Sequence, residues 1–172
     1  MDRTECIAVL KELKCPEQVV RHSEAVAGLA RAIAAHIPDC NAETVYTGGM
    51  LHDIGRTVTN SLSHAYEGEK IAVRLGLPPS VREIIRTHMG GGITEEEAAL
   101  LGLPENDCVP HSLESKVVCH ADNLIADTKR RSLRDVLKQY RDKGLDTAAE
   151  RIQKLHDELS QLAGVDLDTV TE

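Results

Sequence analysis

Apolar residues recur at steps of three and four along most of the chain, and no segment alternates with period two for long. That periodicity predicts helices nearly throughout and an all-α fold, a helical bundle of about seven to nine helices. The first long helix is expected over about 17–36, with Val19, His22, Val26, Leu29 and Ile33 as its buried stripe. A second, over about 42–53, carries Ala42, Val45, Gly49 and His52 on one side. Gly48 and Gly49 cost this helix on the order of 1 kcal/mol each, which close approach of a neighbouring helix would explain. A third reads His64, Gly68, Ile71, Leu75 and stops at Gly76. A fourth is expected to start at a capping box, Ser80 to Glu83, and carries Val81, Ile84, Ile85 and His88. A second capping box, Thr94 to Glu97, opens a short helix that ends at Gly102. Another helix is expected over about 113–128, with Val117, Val118, Ala121, Asp122, Leu124 and Ile125 inward. The segment over about 132–164 reads as two helices broken near Gly144, the second striped by Ile152, Leu155, Leu159 and Leu162.

His22, His52, His64, His88 and Asp122 occupy slots in these stripes that Leu or Val would have filled. Burying an unpaired polar group costs a few kcal/mol, and a carboxylate costs more. Five such positions on five helices either find separate partners or share one. A shared transition-metal ion would satisfy them together, since imidazole and carboxylate both suit such ions. His52 and Asp53 are adjacent, about 100° apart on a helix. They can converge on one site where the helix ends, and Gly55 is read as that end. The two oxygens of Asp53 would let it bridge two ions.

Composition narrows the classes. The 172 residues suggest one domain, read as 1–172, with a metal-binding core over about 17–128 and C-terminal helices over about 132–164. Acidic residues outnumber basic ones 28 to 20, a net charge of −8, and Trp and Phe are absent. Nucleic acid and membrane surfaces are therefore unexpected partners, because the chain lacks a net positive field and, with only three Tyr, the aromatic side chains on which bases stack. No apolar signal segment follows Met1, and the five cysteines form no C-x-x-C pair. Reduced thiols and a cytoplasmic setting are expected. The cysteines are read as core fillers, His36 and His156 as surface residues, and His120 as a supporting or surface residue. His111 follows Pro110 in a loop and is not assigned to the ligand set. Lys129-Arg130-Arg131 is read as a solvated turn.

In this order, His22, then His52-Asp53-Ile54-Gly55, then His64 with Gly68, His88 after Ile84-Ile85-Arg86-Thr87, and Ala121-Asp122-Asn123 resemble the HD-domain phosphohydrolase superfamily. The variant is HDIG, and the pattern is similar to that of small archaeal HDIG proteins. The resemblance implies that one metal takes His22, His52, Asp53 and Asp122. A second would take bridging Asp53 with His64 and His88. It implies one or two divalent ions (Fe, Mn, Ni, Co or Zn), with Asp53 central to catalysis and a metal-activated water attacking a nucleotide or other small phosphoester. Arg56 and Lys116 are candidate phosphate contacts, and the loop Met89 to Gly92 is read as a substrate-facing segment or flap. The family's mononuclear nucleotidases carry Glu where this chain has Arg56, which argues against that activity, and no GYP follows for cyclic-di-GMP cleavage. Two other uses of the scaffold stay open: a di-iron oxygenase, and a non-catalytic nucleotide- or partner-binding module. The C-terminal stripe would then offer a surface for a homo-oligomer.

Overall fold

The computed structural model describes residues 1–104 and 108–171. Nine α-helices form among the described residues: α1 (Arg3–Glu12), α2 (Glu17–Ala34), α3 (Ala42–Leu51), α4 (His64–Arg74), α5 (Pro79–Thr87), α6 (Glu95–Leu100), α7 (Leu113–Asn123), α8 (Leu133–Asp142) and α9 (Asp146–Ala163). Short 3-10 turns span Ile54–Thr57 and Leu167–Thr169, and two-residue strands β1 (Ile125–Ala126) and β2 (Lys129–Arg130) pair antiparallel. Among the described residues the fold is all-α apart from that hairpin and the isolated bridges Gly90–Gly92 and Ile93–Cys108. No helix among the described residues is long and apolar enough to cross a membrane.

α3 lies at the centre, packed against α1, α2, α5 and α7. The glycines that weaken it are what allow this. A Cβ on Gly49 would meet the Ala27 backbone of α2 at 2.8 Å, and one on Gly48 would meet the Ile84 side chain of α5 at 2.4 Å. The larger hydrophobic cluster joins α2, α7, α8 and α9 through Leu29, Ile33, Val118, Val136, Ile152 and Leu159. A smaller one gathers Leu10, Met50, Leu51, Ile71 and Ile85. The C-terminal stripe is largely spent in this packing: Ile152, Leu155 and Leu159 are buried, and Leu162 alone of the four is exposed.

Several sequence expectations need correction. α1 went unrecognised because its apolar face is narrow; Asp2 and Glu5 close a capping box and bury Cys6 and Leu10. The Ser80–Glu83 capping box does not form, because the N-cap of α5 is Pro78, two residues before Ser80, with no side-chain cap. Glu83 instead accepts the backbone N–H groups of His111 and Ser112 and the Ser115 hydroxyl, tying α5 to the start of α7. Helix α7 stops at Asn123, where Asp127 turns the chain at φ +54° into the hairpin. Gly55 is not a left-handed helix stop: it lies inside the 3-10 turn, where a Cβ would sit 1.8 Å from the His64 carbonyl oxygen. Its role is close backbone approach to α4. His156 is buried rather than on the surface, and its Nδ1 lies 3.1 Å from Nε2 of buried His120.

Candidate metal centre

Six side chains from separate elements converge where α2, α3, α4, α5 and α7 meet. His22 comes from the second turn of α2, Asp122 from the end of α7, and His64 begins α4. His52 and His88 cap the C-termini of α3 and α5. Asp53 follows His52 with φ −95° and ψ 14°, out of the helical path. That break lets two neighbouring side chains face one point, which a continuing helix would forbid.

The histidines are oriented alike. Nδ1 of His22 lies 2.8 Å from the Asp127 carbonyl, and Nδ1 of His52 lies 2.7 Å from that of Gly49. Nδ1 of His64 and His88 each lie 2.8 Å from the carbonyls of Ser61 and Ile85. A carbonyl only accepts, so each Nδ1 carries the hydrogen. In the neutral ring each Nε2 then presents a lone pair. Those lone pairs face acceptors or one another. Nε2 of His22 lies 2.9 Å from Asp122 Oδ1, and Nε2 of His52 is 3.5 Å from the same oxygen and 3.8 Å from Asp53 Oδ2. Nε2 of His64 is 3.1 Å from Asp53 Oδ1 and 3.0 Å from Nε2 of His88, which is itself 3.5 Å from that oxygen.

Such an arrangement repels unless positive charge sits within it. His52 Nε2 and Asp53 Oδ1 are fully buried and take no hydrogen-bond partner among the described residues, a loss of a few kcal/mol if nothing compensates. Donor atoms about 2.1 Å from one ion lie about 3.0–3.4 Å from each other, and the distances above bracket that spacing. Three overlapping triads bring their donor atoms within 4.8 Å of one another: His22, His52 and Asp53; His52, His88 and Asp122; and Asp53, His64 and His88. Asp53 belongs to two of them.

Electrostatics show how the cluster is balanced without an ion. Burial disfavours a charged imidazolium at His52, yet Asp53 and Asp122 beside it outweigh burial and hold its pKa up at about 9, so a proton on Nε2 occupies the place that a bound divalent ion would take. Burial favours the neutral acid at Asp53, but His52, then His64 and His88, keep it well below the usual carboxylate range. Asp122 is held below that range against its own burial by His52 and His22. Burial, only partly offset by Asp53, draws His88 down. Both carboxylates are therefore ionised, and the site attracts cations.

Arg56 donates from Nε to Asp53 Oδ2 at 2.6 Å. Its Nη groups take no partner among the described residues, and it lines a cavity of about 340 Å³ with Gln18, His22, Asp53, Asn60 and Asp127. Lys116 is not brought to the cluster: its Nζ pairs with Glu158 of α9 at 2.7 Å. The Met89–Gly92 loop is pinned rather than free as a flap. The Asn123 side-chain amide and the Cys119 thiol both donate to the Gly90 carbonyl, and Arg151 donates to that of Gly92. Sequence reasoning missed the carbonyls that orient the histidines. Three come from positions three residues before the ring; the fourth, from Asp127, depends on the hairpin.

A family model described as HD domain matches residues 19–127. A tRNA (cytidine(56)-2'-O)-methyltransferase of Picrophilus torridus is 42% identical over 171 residues, covering 99% of this chain and 50% of that protein. The protein MJ0778 of Methanocaldococcus jannaschii is 41% identical over 169 residues, 94% of this chain and 99% of its own length. A ribonuclease Y of Thermotoga maritima is 33% identical over 128 residues, 72% of this chain and 22% of that enzyme. The chain thus spans about half the length of the methyltransferase relative and less of the nuclease. In fold it matches the HD domain of the L. monocytogenes phosphodiesterase PgpH, with a TM-score of 0.54 at 18% identity over 95% of this chain and 99% of that one. With its matched region running through every element that supplies the cluster, the chain belongs to the HD-domain family.

Proposed function

We propose that this chain is a metal-dependent phosphohydrolase acting on a nucleotide or another small phosphoester. The observation that carries the reading is the convergence of four imidazole Nε2 lone pairs on two ionised carboxylates. Separate local partners would have left no such crowding. His22, His52, Asp53 and Asp122 would hold one divalent ion, and Asp53, His64 and His88 a second. Fe, Mn, Ni, Co and Zn all suit this donor set. When bound, the metal supplies Lewis acidity, making water nucleophilic near neutral pH and offsetting phosphate charge. Asp53, fixed by Arg56, orients the shared edge of the two sites. Arg56 lines the polar cavity, where an Arg fork suits a phosphate oxygen pair.

Residues 1–172 are read as one HD domain. Its five free thiols fit a reducing, cytoplasmic setting. A second substrate reading, an RNA phosphodiester, draws on the relatives named ribonuclease Y and tRNA methyltransferase. The net charge of −8 weighs against it. The PgpH HD domain is also known in complex with cyclic-di-AMP, so a cyclic dinucleotide belongs among the test substrates. The di-iron oxygenase alternative would use the same ligands, and oxygen uptake dependent on ferrous iron identifies it.

The experiment is turnover by purified protein loaded with Mn²⁺, Fe²⁺, Co²⁺ or Ni²⁺. The substrates are generic phosphoesters, nucleotides, a cyclic dinucleotide and a short RNA. Metal-dependent release of phosphate or nucleotide is expected, and Asp53→Ala should reduce it at least about 1000-fold while lowering metal content. Activity that survives Asp53→Ala would falsify the proposal.

A further inference from the structure

Four of the large hydrophobic residues that stand exposed, Leu62, Leu100, Leu101 and Leu145, line one cavity of about 400 Å³ together with Met89 and Tyr140. Exposed leucines scattered singly need no explanation, but several gathered around one concavity mark a binding site. Leu100 is 88% exposed, so it contributes little to the fold.

The cavity is built on segments that carry the metal-facing histidines. Leu62 lies between Ser61, whose carbonyl orients His64, and His64 itself. Met89 directly follows His88 and leads into the glycine loop that forms one wall. Tyr140 donates to Asn123 Oδ1 at 3.4 Å, and Asn123 adjoins Asp122. The glycine wall is held in place. A Cβ on Gly91 would fall 2.7 Å from Arg151 Cβ, and one on Gly90 would fall 3.2 Å from the Tyr140 hydroxyl. The two charged residues of the lining, Glu97 and Arg151, neutralise each other at 2.9 Å. The cavity therefore offers an incoming group apolar contact, a phenol and bare peptide, and no net charge.

We infer that this cavity receives an uncharged, largely apolar organic moiety of the phosphoester, while the phosphate lies at the metal centre. This rests on the hydrolase reading and specifies its substrate class: esters whose alcohol part is aromatic or bulky and apolar, over short or charged alkyl phosphates.

The test measures binding rather than turnover. Mn²⁺-loaded protein is titrated calorimetrically with methylphosphonate and with 1-naphthylmethylphosphonate, neither of which can be hydrolysed. The naphthyl compound should bind at least about tenfold more tightly, because even one methylene buried in a hydrophobic pocket changes affinity by about 10–200-fold. In the double variant Leu101→Asp/Leu145→Asp, both at exposed positions, metal content and circular dichroism should be unchanged and the two phosphonates should bind alike. Equal affinities in the unmodified protein, or a preference that persists in the variant, would overturn the inference. So would a dimer on size exclusion that the two substitutions dissociate, since a second copy would then occupy the cavity. Phosphoester turnover without a naphthyl preference would overturn this inference alone, whereas a naphthyl preference in a protein that turns over no phosphoester would remove the hydrolase reading, and with it the substrate assignment, while leaving the apolar cavity as a binding site.

Discussion

Each histidine of the cluster spends its Nδ1 hydrogen on the main chain and leaves Nε2 for the centre, so ring orientation is set before any ion arrives. Support of that kind fixes the tautomer and raises ligand basicity. Arg56 does the corresponding work for Asp53, holding Oδ2 so that Oδ1 faces His64 and His88. Arg56→Ala should raise KM for a phosphoester about tenfold or more, and kcat should fall as Asp53 loses its anchor. Arg56→Lys should recover part of the activity, because a lysine keeps the charge without the fork. Steady-state kinetics on the three proteins separates these effects; equal kinetics in all three would remove Arg56 from the account. Much of this site was legible in the sequence, because a histidine or aspartate in an apolar stripe carries a burial cost that demands an explanation. Lys116 shows the limit of that logic. A charged residue on a helix declares no partner, and Glu158, 42 positions later, could be found only in three dimensions.

At the scale of elements, the short turn Ile54–Thr57 against α4 sets the distance between the two halves of the centre. Gly55 and Gly68 meet there, and a Cβ on Gly55 would lie 2.6 Å from the Gly68 nitrogen. Gly55→Ala should cost about 3 kcal/mol in urea unfolding, at the upper end for overpacking because backbone cannot yield as a side chain can. It should also reduce metal content by displacing His64. The periodic helices were readable in advance, whereas the hairpin was not: two-residue strands carry no period, and Asp127 adopts its positive φ only because the chain must fold back. Glu83 illustrates a capping signal overridden by tertiary contacts. Burial tends to raise its pKa, but donors from Ser112, His111 and Ser115 outweigh burial and lower it. A depressed folded-state pKa contributes stability above the unfolded value and loses it as pH falls through the folded one. Glu83→Gln should therefore destabilise by about 1–2 kcal/mol at pH 7. The gap should close as the pH is taken from about 5 downward. A difference independent of pH would show that the carboxylate charge does not matter.

Over the whole molecule, the C-terminal helices complete the core instead of presenting an open stripe. Leu159 is fully buried in the larger cluster, and His156 continues the inner face of α9 toward His120. His156 was misread as a surface residue although it stands four positions after Ile152. The wider apolar face of a core-facing helix includes that position. Leu159→Ala should cost about 2–5 kcal/mol, readable as a lower urea midpoint, and removal of the residues after Gly144 should leave a chain without a cooperative unfolding transition. A stable, cooperatively folding truncated chain would mean that α9 packs elsewhere, as on a second subunit.

The most direct test of a shared cation is anomalous X-ray scattering from crystals of Mn²⁺-loaded protein, recorded near the manganese edge. A peak is expected about 2.0–2.3 Å from His52 Nε2, for the ion shared with His22, Asp53 and Asp122, and with a second ion bound another at that distance from Asp53 Oδ1, beside His64 and His88; both atoms are buried without a hydrogen-bond partner among the described residues. An anomalous map with no peak there, and those two atoms met only by water, would contradict the account.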